Sequence, residues 1–173
     1  MIKNEFYFSS EDNKTKIHAV EWLPEGEPKV VLQLYRGVTN QMQNYEELVN
    51  CFTGYGFAVV GNDDEDNGLC HCRQEEMKAC IKATKQKYPD VPHLLLGLSQ
   101  GAVEVHNFVN NYPGCVEGVV LADAEQEPKK INEEVPMLVV SGMEHNCRKV
   151  VQDIYSWTEK RLDEMLYHAA IKQ

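Results

Sequence analysis

No stretch of about 18 apolar residues, the least that crosses a bilayer as a helix, occurs in the 173-residue chain. The amino terminus, MIKNEFYFSSEDNK, has neither the basic start nor the apolar stretch of a secretory signal. Together these absences point to a cytoplasmic protein with no membrane partner. Positive charge is scarce: 17 Lys and Arg face 27 Asp and Glu, for a formal net charge of −10. That field repels phosphate backbones, so no nucleic-acid partner is expected. Glycine-rich phosphate loops of the Walker or dinucleotide type are missing, and no cofactor is implied. Nor is there an internal repeat, a low-complexity tract or a linker, so a single domain spanning 1–173 is expected.

What is present is the mix of a soluble globular protein, 43% hydrophobic and 25% charged. The six cysteines are even in number, but a chain of this length builds a core without disulfide staples, and reduced thiols are the expectation. Cys70-His71-Cys72, with Cys80 eight residues on, offers soft ligands at close spacing. A structural zinc site pairs two such clusters and the second is lacking, so the segment reads as a polar loop and no metal is expected. The acidic run at 63–66 lacks the glycine and distal glutamate of a calcium loop.

Three strands are expected near the start, at 5–9, 17–23 and 29–35, separated by the turn-rich SSEDNK and PEGEP. They form an antiparallel opening. The later apolar segments, 57–62, 93–99, 118–123 and 136–142, are short and rich in Val and Leu, as strands buried on both faces require. Helix-length sequence at about 42–54, 74–88 and 100–112 lies between them and ends at Gly54, Pro89 and Pro113. This alternation predicts an α/β fold with a mostly parallel sheet of about seven strands between two helical layers. From Arg148 onward, Val150, Val151, Ile154, Trp157, Leu162, Met165, Leu166 and Ala169 recur at helical intervals. They predict an amphipathic tail helix, broken near Leu162, whose apolar stripe packs on the core or covers a second copy in a homo-oligomer.

The most specific signal is LLLGLSQGA at 94–102, where a buried strand runs through Gly97-Leu98-Ser99-Gln100-Gly101 into a helix. A Gly-x-Ser-x-Gly in this context forces the serine into an unfavourable backbone conformation and brings strand and helix together, so the flanking positions must be nearly devoid of side chain. Gly97 and Gly101 meet that need. Ser99 is then the candidate nucleophile, beside free helix NH groups that face a developing oxyanion. The plainer reading is a strand-to-helix turn with a capping serine.

On these residues the chain resembles the α/β-hydrolase family, and within it the monoacylglycerol lipase and lysophospholipase-like branch. LYRGVTNQMQNYEELVNCFTGYGFAVVGNDDEDNG (34–68) is similar to that branch's His-Gly loop, helix and following strand. KYPDVPHLLLGLSQGA (87–102) and NNYPGCVEGVVLADA (110–124) resemble its nucleophile strand and the next one. VPMLVVSGM (135–143) and VVQDIYSWTEKRL (150–162) resemble its seventh strand and closing helix. The resemblance implies a three-layer α/β-hydrolase fold and an oxyanion hole made by the backbone NH groups of Val38 and Gln100. Departures are Arg36-Gly37 for His-Gly, Ala102 for a glycine, and the acidic run at 62–68 for a His-Gly-rich turn. About a dozen residues separate Asp123 from Val135, too few for the helical cap, and no room remains between Gly142 and the tail helix for the last crossover and strand.

A serine hydroxyl needs an imidazole within hydrogen-bond reach, itself oriented by a carboxylate. His18 lies on an edge strand, His71 in a loop, His93 at the wrong end of its strand and His106 about two turns into a helix. His145 follows PMLVVSGM and emerges at the carboxyl edge, as Ser99 does. Asp123 ends the strand after the serine, and Ser99, Asp123, His145 keeps the hydrolase chain order. Glu144 is the alternative acid, and Glu144 with His168 is a competing pair. The expected function is a serine hydrolase acting on a small-molecule ester or thioester through an acyl-enzyme at Ser99. The missing cap favours short soluble esters. The alternative is a catalytically silent, trimmed or redesigned hydrolase core serving as a scaffold or self-associating module.

Overall fold

The alternation of Val- and Leu-rich strands with amphipathic helices produces one seven-stranded sheet in the computed structural model, which describes residues 1–14, 16–36, 45–62, 74–126, 128 and 135–171. Strands β1 (Ile2–Ser9), β2 (Lys16–Leu23), β3 (Val30–Arg36), β4 (Phe57–Asn62), β5 (His93–Leu98), β6 (Gly118–Ala122) and β7 (Met137–Val140) are joined by helices α1 (Tyr45–Gly54), α2 (Gln74–Lys87) and α3 (Gln100–Asn111). Helix α4 (Cys147–Ile171) follows β7. The strand order is β1-β2-β4-β3-β5-β6-β7. The pairs β1/β2 and β2/β4 are antiparallel and all others parallel, as the sequence implies.

Alternation along the central strands sends successive side chains to opposite faces. Leu32, Leu34, Leu94, Leu96 and Val120 meet α1 and α4 through Leu48, Phe52, Val151 and Ile154. Tyr35, Leu95, Val119 and Leu121 meet α2 and α3 through Met77, Ile81, Val105 and Phe108. The sheet is thus the middle of three layers, and the loops at the carboxyl ends of its parallel strands share one edge.

Two buried polar groups tie the layers together. Glu21 on β2, wholly buried, accepts hydrogen bonds from Tyr88 Oη at 3.0 Å and Asn4 Nδ2 at 3.2 Å, and pairs with Lys87. Burial first, and then the Glu21 carboxylate, push the Tyr88 phenol well above its usual range. On β3, Tyr35 Oη donates to Gln33 Oε1 at 2.8 Å, and Gln33 Nε2 donates to Thr84 Oγ1 at 2.6 Å. This locks β3, whose last residue is Arg36, to α2.

Two expectations are corrected. Helix α4 runs unbroken through Leu162: neither Gly nor Pro occurs between 147 and 171, Arg161 pairs with Glu164 at 2.6 Å, and its guanidinium lies 5.9 Å from the Trp157 ring centre. The apolar stripe of α4 packs on the core only as far as Leu162. Val150, Val151 and Ile154 are buried, whereas Met165, Leu166, Tyr167 and Ile171 are exposed, because a 25-residue helix is about 37 Å long and outruns the sheet.

Candidate active site

The carboxyl edge is set by register. Arg36, Leu98, Ala122 and Val140 form one continuous row across β3, β5, β6 and β7. The hydrogen-bond ladder extends one residue past that row: Ser99 N donates to Ala122 O at 2.9 Å, and Asp123 N donates to Val140 O at 3.0 Å. Ser99 and Asp123 therefore leave adjacent strands side by side, ordered to the last residue.

Ser99 has φ 52° and ψ −116°, a conformation costing a non-glycine residue roughly 1–3 kcal/mol. The strain is imposed by packing. A Cβ at Gly97 would lie 2.5 Å from the Gly101 carbonyl oxygen and 2.6 Å from Ala102 Cα, and one at Gly101 would strike the Tyr35 carbonyl. These two glycines let β3, β5 and α3 converge under the serine. Ser99 precedes α3 yet makes no side-chain cap bond to it, so the capping-serine reading does not describe this turn. Ser99 is half-buried and Gln100, the first residue of α3, is exposed; Ala102 N turns back to the Ser99 carbonyl at 3.0 Å.

Asp123 also has positive φ, 49°. Its two carboxylate oxygens grip the turn after β7: Oδ1 accepts from Gly142 N at 2.6 Å and Oδ2 from Met143 N at 2.9 Å. Gly142, at φ 84°, supplies the left-handed residue that the turn requires. Its carbonyl in turn accepts from His145 N at 3.1 Å and Asn146 N at 2.9 Å. Asp123 thus holds the backbone that carries His145. Among the described residues no side-chain hydrogen bond joins His145 to Asp123 or to Ser99. His145 is exposed, in the turn that follows β7, and β7 itself is two strands from β5. Glu144 and His168 are exposed, with His168 near the far end of α4. Val38, the acidic run and Cys70-His71-Cys72 lie outside the described residues.

The grip of Asp123 on the β7 turn is not readable from residue spacing. Its faint signal is Gly142, two residues past the end of an apolar strand. Of the histidines set aside, His93 is buried at the amino end of β5, and burial pushes its imidazole below the ordinary value. Two clefts, of about 600 Å³ beside Lys29 and Tyr155 and about 490 Å³ beside Phe6 and Lys82, are lined by none of the residues Ser99, Asp123 and His145. Among the described residues no helix is long and apolar enough to cross a membrane.

Comparison with known proteins agrees with this fold. Monoacylglycerol lipase of Mycolicibacterium smegmatis is 24% identical over 111 residues, covering 58% of this chain and 40% of that protein. Human monoglyceride lipase is 26% identical over 110 residues, covering 58% and 36%. The chain thus spans about two fifths of the length of the curated relatives it matches. In solved structures, a cold-adapted esterase from an Arctic intertidal metagenomic library superposes with a TM-score of 0.68 at 13% identity, covering 92% of this chain and 93% of that one. The profile of the serine aminopeptidase S33 family, Hydrolase_4, matches residues 26–166. With the strand order and the strained serine turn described above, the chain belongs to this family of α/β-hydrolases.

Proposed function

We propose that the protein is a serine hydrolase that cleaves small carboxylic esters or thioesters through an acyl-enzyme at Ser99. The observation that carries this reading is the turn itself. A serine is held in a costly left-handed conformation, its hydroxyl uncommitted to capping, above the first turn of α3. Two glycines that backbone contacts require produce that conformation, the arrangement of a nucleophile elbow.

In the proposed reaction Ser99 Oγ attacks the acyl carbon while its proton passes to His145. The amides of Gln100 and Val38 receive the oxyanion, the leaving alcohol or thiol takes the proton from His145, and water then releases the acid by the reverse sequence. Asp123 is a positioning residue here: it acts through the Gly142–Met143 backbone, fixing the turn from which His145 must reach inward. The names of the relatives, lipases and an esterase, support ester chemistry. The sequence-level inference of a missing cap favours short acyl chains, open to water. Nothing in the relatives favours the silent-scaffold alternative.

The test is labelling with a fluorophosphonate probe alongside hydrolysis of p-nitrophenyl acetate and a long-chain homologue. The expected result is labelling of the wild-type chain at Ser99, lost in Ser99→Ala, with the acetate preferred. A wild-type chain that is folded, unlabelled and no faster than Ser99→Ala overturns the reading.

A further inference from the structure

Cys51 lies on α1 and Cys147 is the first residue of α4. Although 96 positions apart in sequence, their sulfurs are 3.9 Å apart, with the Cys147 S–H donating to Cys51 Sγ. Both are free and half-buried, packed against the cluster between α1, α4 and the sheet. The other described cysteines differ. Cys80 is fully buried, and burial pushes its thiol up to about 12, while Cys115 packs on the opposite face of the sheet.

We propose that Cys51 and Cys147 are a dithiol modification site that a small-molecule disulfide, such as oxidised glutathione, closes into a bond clasping α1 to the head of α4. The pair is set up for it in two ways. The sulfurs are already neighbours and need only close to the roughly 2 Å of a covalent bond. Their half exposure admits a small oxidant. Burial first, then the neighbouring Cys51 and Glu47, push the Cys147 thiol up to about 12.

The exchange balances. One of the two sulfurs, as its thiolate, attacks one sulfur of oxidised glutathione and expels one glutathione thiolate. The other then loses its proton and attacks the protein sulfur of the mixed disulfide, expelling the second. Two protein thiols are oxidised and one glutathione disulfide is reduced to two thiols. The inference is independent of the hydrolytic reading and holds whether or not Ser99 is reactive.

The test is incubation of the full chain with oxidised glutathione, followed by alkylation with iodoacetamide and a non-reducing peptide map. A linked Cys51–Cys147 peptide is expected, lighter by two hydrogens. Closing a loop of about 100 residues should raise Tm by about 5–15 °C, reversibly with dithiothreitol, and Cys51→Ser and Cys147→Ser should each remove the rise. The mapping uses the wild-type chain and does not depend on the variants folding. Three outcomes overturn the proposal: both cysteines remaining alkylatable, stable glutathione adducts without the cross-link, or a cross-link that leaves Tm unchanged.

Discussion

Replacing Gly97 with alanine tests the link between packing and the strained serine. The added methyl would sit 2.5 Å from the Gly101 carbonyl oxygen, 2.6 Å from Ala102 Cα and 2.8 Å from Ala102 N, against the roughly 3.5–4.0 Å of relaxed carbon contacts. All three obstacles are backbone, so no side chain can give way, and β5 and α3 must part by on the order of 1 Å. Overpacking of this kind costs about 1–3 kcal/mol, and with immovable neighbours the upper figure applies. At about 2–4 °C per kcal/mol for a chain of this size, Tm should fall by about 6–12 °C. Ser99, two residues on, moves with the turn, and a displacement near 1 Å costs about 100-fold in rate. Thermal unfolding by circular dichroism and p-nitrophenyl acetate hydrolysis at 20 °C measure the two effects. Gly54→Ala is the control: it ends α1 with nothing within 4 Å of the added methyl, and its stability should be unchanged or gain up to about 1 kcal/mol. A Gly97→Ala variant with wild-type Tm and wild-type hydrolysis refutes the claim that the β5–α3 approach creates the serine turn.

Two further predictions concern charge. Asp123→Asn leaves one acceptor where two backbone NH groups, from Gly142 and Met143, now bind, and turns an amide NH₂ towards the other. A loss of about 1.5–3 kcal/mol and faster amide exchange at Gly142 and Met143 are expected, and unchanged exchange at both would show the turn to be self-supporting. His93 is buried, with Nδ1 2.8 Å from the Val91 carbonyl, and burial lowers its folded pKa below the ordinary histidine value of about 6.5. Below that value the unfolded chain binds a proton that the folded chain refuses. This contribution to stability is therefore complete above about pH 6.5 and is lost as pH falls through it towards the lower folded value. Urea midpoints from pH 8 to 5 should show the decline in wild type and a shallower one in His93→Phe, whereas parallel curves would acquit His93.

Much of the fold was legible because its signals are local. Runs such as HLLLGL and GVVLA are buried on both faces and carry their apolar character in every residue, while the antiparallel start is written in turn residues. Helix α4 was harder: periodicity marks an apolar stripe equally well whether a sheet lies beneath it or the helix has run past the edge, so exposed Leu166 and buried Ile154 look alike in sequence. The buried carboxylate of Glu21 was invisible for a similar reason. Its partners Lys87 and Tyr88 are 66 and 67 residues away, and nothing in the local pattern of β2 distinguishes a charge facing water from one facing α2. Cys51 and Cys147 met through the packing of α1 on α4, which no spacing rule anticipates.

By itself the sequence determined the α/β alternation, the glycine–serine–glycine turn and the sense that Ser99, Asp123 and His145 belong to strand ends, because each depends on residues within one strand and its neighbours. Only the tertiary structure decided how these groups relate. Register brought Ser99 and Asp123 side by side, and the Asp123 carboxylate turned onto the Gly142 and Met143 backbone, the turn that leads to His145. Hydrogen bonds between strands act at about 3 Å and across dozens of residues of chain, so the partner of a carboxylate is set by which backbones the sheet aligns.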